Sequence, residues 1–341
     1  MRKKQFIFFV ILAIVACNPK KETSNQEIVQ NKDEFVPFIE RYEPALDTII
    51  SSGAKIEIIA EGFDWTEGPL WIDGVGLLFT DIPPNTIYKW TEADGTKPYL
   101  FPSGYTGSKS RGGEMGSNGM LEDEKGNLIL CQHGDRRIAM MESPIETPKA
   151  VFKTIVDNYQ GKKLNSPNDA TFSKQGDLYF TDPAYGLEYM MDDPLKELDF
   201  QGVYRYARSG KLSLLTDKMT RPNGIGFSPD QKTLYVANSD PDYAVWMAYQ
   251  LNVDGEIEEE KVFYDATEFV NKELGLPDGL KVDTNGNVFA SGPGGIWIFN
   301  DSGNVLGKIK TGQATSNCAF GENGKVLFIT ADMYVMKVDL R

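Results

Sequence analysis

This sequence predicts an all-β protein, a six-bladed β-propeller. Three observations lead there. The stretch Leu164-Asn-Ser-Pro-Asn168-Asp-Ala-Thr-Phe-Ser-Lys-Gln-Gly176-Asp-Leu-Tyr-Phe-Thr-Asp182 holds a polar lead residue, an alternating apolar segment, a glycine turn, a second alternating segment and a closing acid. The pattern recurs five more times, led by Glu67, Asn118, Asn223, Asp278 and Asn317, at spacings of 51, 50, 55, 55 and 39 residues. Repeats of that length, each built of short strands joined at a glycine turn, are blades that bury their faces only by stacking in a ring. The third observation is 33 glycines in 341 residues, which many tight turns require.

The chain before the ring divides in two. Arg2-Lys3-Lys4 precede an apolar run from Phe6 to Ala16, too short to span a bilayer, which reads as a secretory signal over residues 1–16. It ends in Ile14-Val15-Ala16-Cys17, which resembles a bacterial lipoprotein signal, so Cys17 is expected to carry lipid. The expected location is the outer membrane facing the periplasm, with surface display as the alternative. Residues 17–50 are largely polar, charged and without period, the composition of a flexible tether. The propeller is expected over 51–341. The strand-like Ala54–Ala60 precedes the first repeat and is assigned to closing the ring against Met333–Leu340.

The segment Phe101–Gly116 is rich in Gly and Ser and stands just before a lead residue, which puts it on the functional face. Blade three carries an insertion from Pro183 to Gly202. A short helix is expected within 265–276. The net charge is −14 and no basic patch stands out, so nucleic acid is excluded as a partner and the membrane is met only through the lipid. Cys131 and Cys318 sit in different strand-like settings without zinc spacing and are expected as buried free thiols. There is no nucleophile elbow, dinucleotide fingerprint or phosphate loop.

Every lead residue is a carboxylate or a carboxamide. If the lead residues begin the inner strands, Glu67, Asn118, Asn168, Asn223, Asp278 and Asn317 converge at one mouth of the axial channel. Oxygen donors without His or Cys suit a hard divalent cation. The alternative is that Asn-Gly and Asp-Gly recur only as turn dipeptides. His133 is the single histidine in the chain. Its flanking Gly134-Asp135-Arg136-Arg137 places it in a loop, where it could exchange a proton with water or a leaving alkoxide. Arg136 and Arg137 could orient an oxyanion or substrate hydroxyls, or form surface salt bridges.

From about Ile56 onward the sequence resembles the gluconolactonase, regucalcin (senescence marker protein) and luciferin-regenerating-enzyme family. The resemblance is carried by Thr66-Glu67-Gly-Pro-Leu-Trp71, Ser117-Asn-Gly119, Cys131-Gln-His-Gly-Asp-Arg-Arg137, Ser166-Pro-Asn168-Asp169, Thr181-Asp-Pro-Ala-Tyr-Gly186, Arg221-Pro-Asn223-Gly and Pro277-Asp278-Gly. It implies an axial divalent metal, most often Ca²⁺, with Mg²⁺, Mn²⁺ or Zn²⁺ as alternatives. Matched one at a time, Glu67, Asn168, Asn223 and Asp278 take the ligand positions. Asp278 or His133 is then the base. From their positions in this chain, Asn118, Asn168, Arg136 and Asn317 are the expected substrate contacts. The Arg that regucalcin-type relatives carry two residues before the third-blade Asn is Ser166 here, so their substrate contacts do not transfer. The activity implied is hydrolysis of a small sugar lactone. Two other readings stand beside it, a related propeller esterase or phosphotriesterase and a binding propeller without catalysis.

Overall fold

The computed structural model describes residues 36–341, which form one compact unit. The expected signal peptide, the lipidated Cys17 and the start of the tether lie outside the described residues. Six antiparallel sheets follow one another around the ring. Their innermost strands are Thr66–Ile72, Ser117–Glu122, Ala170–Phe172, Pro222–Phe227, Leu280–Val282 and Thr315–Gly321, and they define blades one to six.

The alternation that marks each repeat works because adjacent blades face one another. The second strand of blade one, Gly76–Asp81, is buried at all six positions, since a blade packs on both sides. Large side chains fill the wedges between blades. Between blades four and five Trp246, Trp297 and Phe299 lock together, with ring centroids 5.3 to 5.9 Å apart. Cys131 and Cys318 are buried free thiols, as the sequence suggests. Burial pushes the Cys318 thiol up to about 12, which keeps it inert.

The ring closes as expected. Ile56–Glu61 pairs antiparallel with Tyr334–Asp339 and becomes the outer strand of blade six. The folded body reaches further towards the N-terminus than residue 51, however. Phe38–Arg41 adds a fifth strand to blade five by pairing with Val305–Lys310. A single 3₁₀ turn, Pro44–Thr48, follows and buries Leu46. Within 36–50, then, the chain is part of the fold rather than tether. The helix expected within 265–276 is one 3₁₀ turn, Thr267–Phe269.

The recurrent Asn-Gly and Asp-Gly pairs are not hairpin turns. They stand on or just before inner strands, where neighbouring backbones nearly touch. A Cβ on Gly68 would lie 2.0 Å from the Asn118 carbonyl oxygen, one on Gly224 2.3 Å from that of Asp278, and one on Gly279 1.9 Å from Asn317 Cγ. In blades one, two, four and five the glycine after the lead residue lets neighbouring strands crowd the axis, while Asp169 and Cys318 take that place in blades three and six.

The closing acids have a local task. Asp81 accepts the N–H groups of Asp64 and Trp65, and Asp182 accepts those of Asn165 and Ser166, both at 2.8 Å. In blade four the Asn238 amide oxygen takes the Arg221 N–H in the same way. Each clasps the chain just upstream of its blade's lead residue, which fixes where that residue emerges.

Candidate active site at the axial mouth

Five of the six lead residues line one cavity of about 600 Å³: Glu67, Asn118, Asn168, Asn223 and Asp278. Glu67 and the three Asn side chains are at most 4% exposed, while Asp278 keeps an open edge towards the cavity. The sixth, Asn317, stands behind them. Its Nδ2 donates to Glu67 Oε2 at 3.2 Å and its Oδ1 accepts the Cys318 N–H at 2.9 Å. Both ends of that amide are engaged by protein, so Asn317 is placed to position Glu67 and does not line the cavity.

The ring is underbonded. Asn118 Oδ1, Asn168 Oδ1 and Asp278 Oδ1 are buried without a hydrogen-bond partner. Leaving such a group unpaired costs about 1–3 kcal/mol each. Asn223 donates its Nδ2 to Ser239 Oγ at 3.0 Å, which leaves its carbonyl oxygen as the free end. Glu67 and Asp278 are in side-chain hydrogen-bonding contact. Burial first, and then the charges of Glu67, Glu114 and Asp169, holds the Asp278 carboxyl well above the usual range, and burial likewise raises Glu67. Two carboxylates in contact do not both ionise unless a cation sits between them. Among the described residues no three His, Cys, Asp or Glu side chains gather as a metal cage. The donor set is instead two carboxylates and amide oxygens, all hard. Glu67, Asn168, Asn223 and Asp278 therefore fit a divalent cation of the calcium type.

Loops complete the cavity. Glu114 comes from the Gly/Ser-rich segment, which lies on this face as expected. That segment is pinned rather than loose, since Asn85 Oδ1 accepts the N–H groups of Ser103, Gly104 and Tyr105 at 2.7 to 3.1 Å. Tyr185 enters from the blade-three insertion, and Trp65 and Ser239 flank the ring. None of these four was apparent as a site residue. Trp65, Glu114 and Tyr185 could have been found only from the position of their loops, just before a lead residue or just after a closing acid, while Ser239 stands on the strand Thr233–Asp240 beside Asn238.

His133 is fully buried and does not line the cavity. Its Nδ1 lies 2.9 Å from Glu114 Oε2, so it reaches the cavity only through that carboxylate. Arg136, expected to meet the substrate, does not line the cavity. Its guanidinium is directed at the main-chain carbonyls of Leu164, Asn165 and Leu195 at 2.8 to 3.0 Å, and it is 6% exposed. With Nε and Nη1 held by these main-chain carbonyls, Arg136 braces the chain beside the cavity. Arg137 is held by Gln132 and Asp135.

The fold and the site together define a six-bladed propeller with an oxygen-lined binding centre at one axial mouth. The SMP-30/Gluconolactonase/LRE-like region matches residues 65–332, and the chain belongs to that family. A gluconolactonase of Zymomonas mobilis is 42% identical over 307 residues, covering 88% of this chain and 85% of that one. The structure of a Xanthomonas campestris gluconolactonase superposes with a TM-score of 0.76 at 28% identity, over 90% of this chain and 96% of that one. The fold is shared with regucalcin, a calcium-binding protein of Agrobacterium tumefaciens, at a TM-score of 0.65 and 17% identity, over 83% and 94% of the two chains.

Proposed function

We propose that this protein hydrolyses a sugar lactone to the aldonic acid at the axial mouth, with a divalent cation, most fittingly Ca²⁺, held by Glu67, Asn168, Asn223 and Asp278. The observation that carries this reading is the convergence of unpartnered oxygens from separate blades on one cavity, in a chain related to gluconolactonases. A cation there supplies Lewis acidity, polarising the lactone carbonyl. The protein groups do the rest. Asn118 Oδ1 faces the cavity as a free acceptor for a substrate hydroxyl. Asp278, open to the cavity, takes the proton of the attacking water as the new C–O bond forms at the carbonyl carbon, and returns it to the ring oxygen as the ring C–O bond breaks. His133 acts on this sequence only through Glu114, whose Oε2 lies 2.9 Å from its Nδ1.

The test is hydrolysis of glucono-1,5-lactone followed by pH-stat, on the purified chain as isolated, after chelation, and with Ca²⁺ restored. Glu67→Gln and Asp278→Asn are each expected to lower kcat/KM at least 100-fold and to remove bound metal, with circular dichroism unchanged. Full activity and metal content in both variants would sink the site assignment. The leader points to an exported, lipid-anchored protein. Labelled palmitate retained by the wild-type chain but absent from Cys17→Ala would support this, and equal labelling would reject it.

A further inference from the structure

The cavity has two unlike walls. One is the polar ring. The other is formed by the segment before Asp278, where Val270, Leu274 and Leu276 line the cavity alongside the polar Asn271, Lys272 and Glu273, with Trp65 and Ala314 also in the lining. Leu274 is 61% exposed. An exposed leucine on a convex surface means little, because much of any protein surface is apolar. Leu274 stands in a concave wall among other apolar side chains, where ligand contacts form.

That wall is built rather than loosely draped. Glu273 pairs with Lys310 at 2.8 Å and Lys308 at 3.3 Å, and the Lys308 ammonium lies 3.5 Å from the centre of the Trp297 ring. The Leu274 carbonyl accepts the Gly294 N–H at 2.7 Å. Asn271 and Gly275 adopt φ of 68° and 95°, bending the chain on either side of Leu274. The acid of this segment is neutralised by blade five, and the leucine next to it is left uncovered.

Volume indicates what the wall is for. A cavity of about 600 Å³ holds about 20 waters at roughly 30 Å³ each. A monosaccharide lactone, with about a dozen heavy atoms, fills only roughly half of it. Resting on the lactonase reading above, we propose that Trp65, Val270, Leu274 and Leu276 form a second subsite, and that the preferred substrate is a lactone bearing an apolar ring substituent. The carbonyl faces the polar ring and the substituent lies along Leu274. Water still adds across the acyl–oxygen bond, so the chemistry is unchanged.

The experiment compares kcat/KM of the full chain, with Ca²⁺ present, across δ-valerolactone, δ-hexalactone, δ-octalactone and δ-decalactone, beside glucono-1,5-lactone. The expected result is a rise of about two- to fourfold per added methylene until the wall is filled, and a flattened rise in Leu274→Ser and Leu274→Gln. A flat series in the wild-type chain, with glucono-1,5-lactone still turned over, overturns the subsite and leaves the lactonase reading standing. A rise that persists unchanged in both Leu274 variants also overturns it. Turnover of no lactone at all overturns the reading on which the subsite rests, and the subsite with it.

Discussion

The amide of Asn317 donates to Glu67 Oε2 at 3.2 Å across the seam where the last blade meets the first, joining residues 250 apart in sequence. The same oxygen accepts the Gly68 N–H at 2.8 Å. The amide cannot flip without losing the Cys318 N–H from its carbonyl, and the Lys281 ammonium, 3.5 Å away on that side, fixes it further. Closing the ring and aiming the Glu67 carboxylate are thus one contact.

Asn317→Leu keeps the volume and removes the donor. Removing an outer partner of a metal ligand typically lowers metal affinity or activity about 10- to 100-fold. A loss of that order in Ca²⁺ affinity is expected by titration calorimetry, with native circular dichroism. Unaltered affinity would mean that Glu67 does not depend on this contact.

Gly279→Ala places a methyl group 1.9 Å from Asn317 Cγ. Overpacking of this kind costs about 1–3 kcal/mol, sometimes more, and here it also displaces the residue that aims Glu67. Denaturant unfolding should show the loss, together with reduced lactonase activity. Gly53→Ala is the control: nothing lies within 4 Å of its added Cβ, and a change within about 0.5 kcal/mol is expected.

Burial raises the Glu67 and Asp278 carboxyls, so in the metal-free protein they hold protons that the unfolded chain would release. A cation must displace those protons, and its affinity should fall as pH falls. Calorimetry in two buffers of different ionisation enthalpy should reveal proton release on Ca²⁺ binding near pH 6. Identical heats in both buffers would contradict it.

Asp182 is raised by burial to about 7 even though two backbone N–H groups bond to it. Its folded pKa stands above its unfolded value, so the proton is held more tightly in the fold. The stability this contributes is complete below about 3.9 and is lost as pH rises through about 7. Asp182→Asn should flatten the decline in unfolding midpoint between pH 5 and pH 7.5. At pH 5 it should also lower stability by about 1–3 kcal/mol, because one backbone donor loses its acceptor, with the gap to the wild type narrowing as pH rises. An equally steep decline in the variant would assign the pH dependence elsewhere.

The inner strands and lead residues were legible because ring geometry demands the same thing of each blade: an alternating strand and a polar residue at the mouth, with a close-approach glycine after it in four of the six. The second strand Ile56–Glu61 could be placed because a ring needs closing. What repeats least was hardest to read. Glu114, Tyr185 and Leu274 reach the cavity from loops without period, and four residues of Phe38–Arg41 are too few for alternation to show. Arg136 misled for another reason. A guanidinium advertises its charge in sequence but not its acceptors, and here these are main-chain carbonyls that only the fold assembles.

The outer strand Phe38–Arg41 on blade five also sets a path for mechanical load. A pull arriving from the N-terminal side meets four residues of sheet edge before it reaches the Ile56–Glu61 strand that latches the ring. Because Phe38–Arg41 pairs only with blade five, parting that edge breaks none of the backbone pairs of the latch or of the Asn317–Glu67 seam.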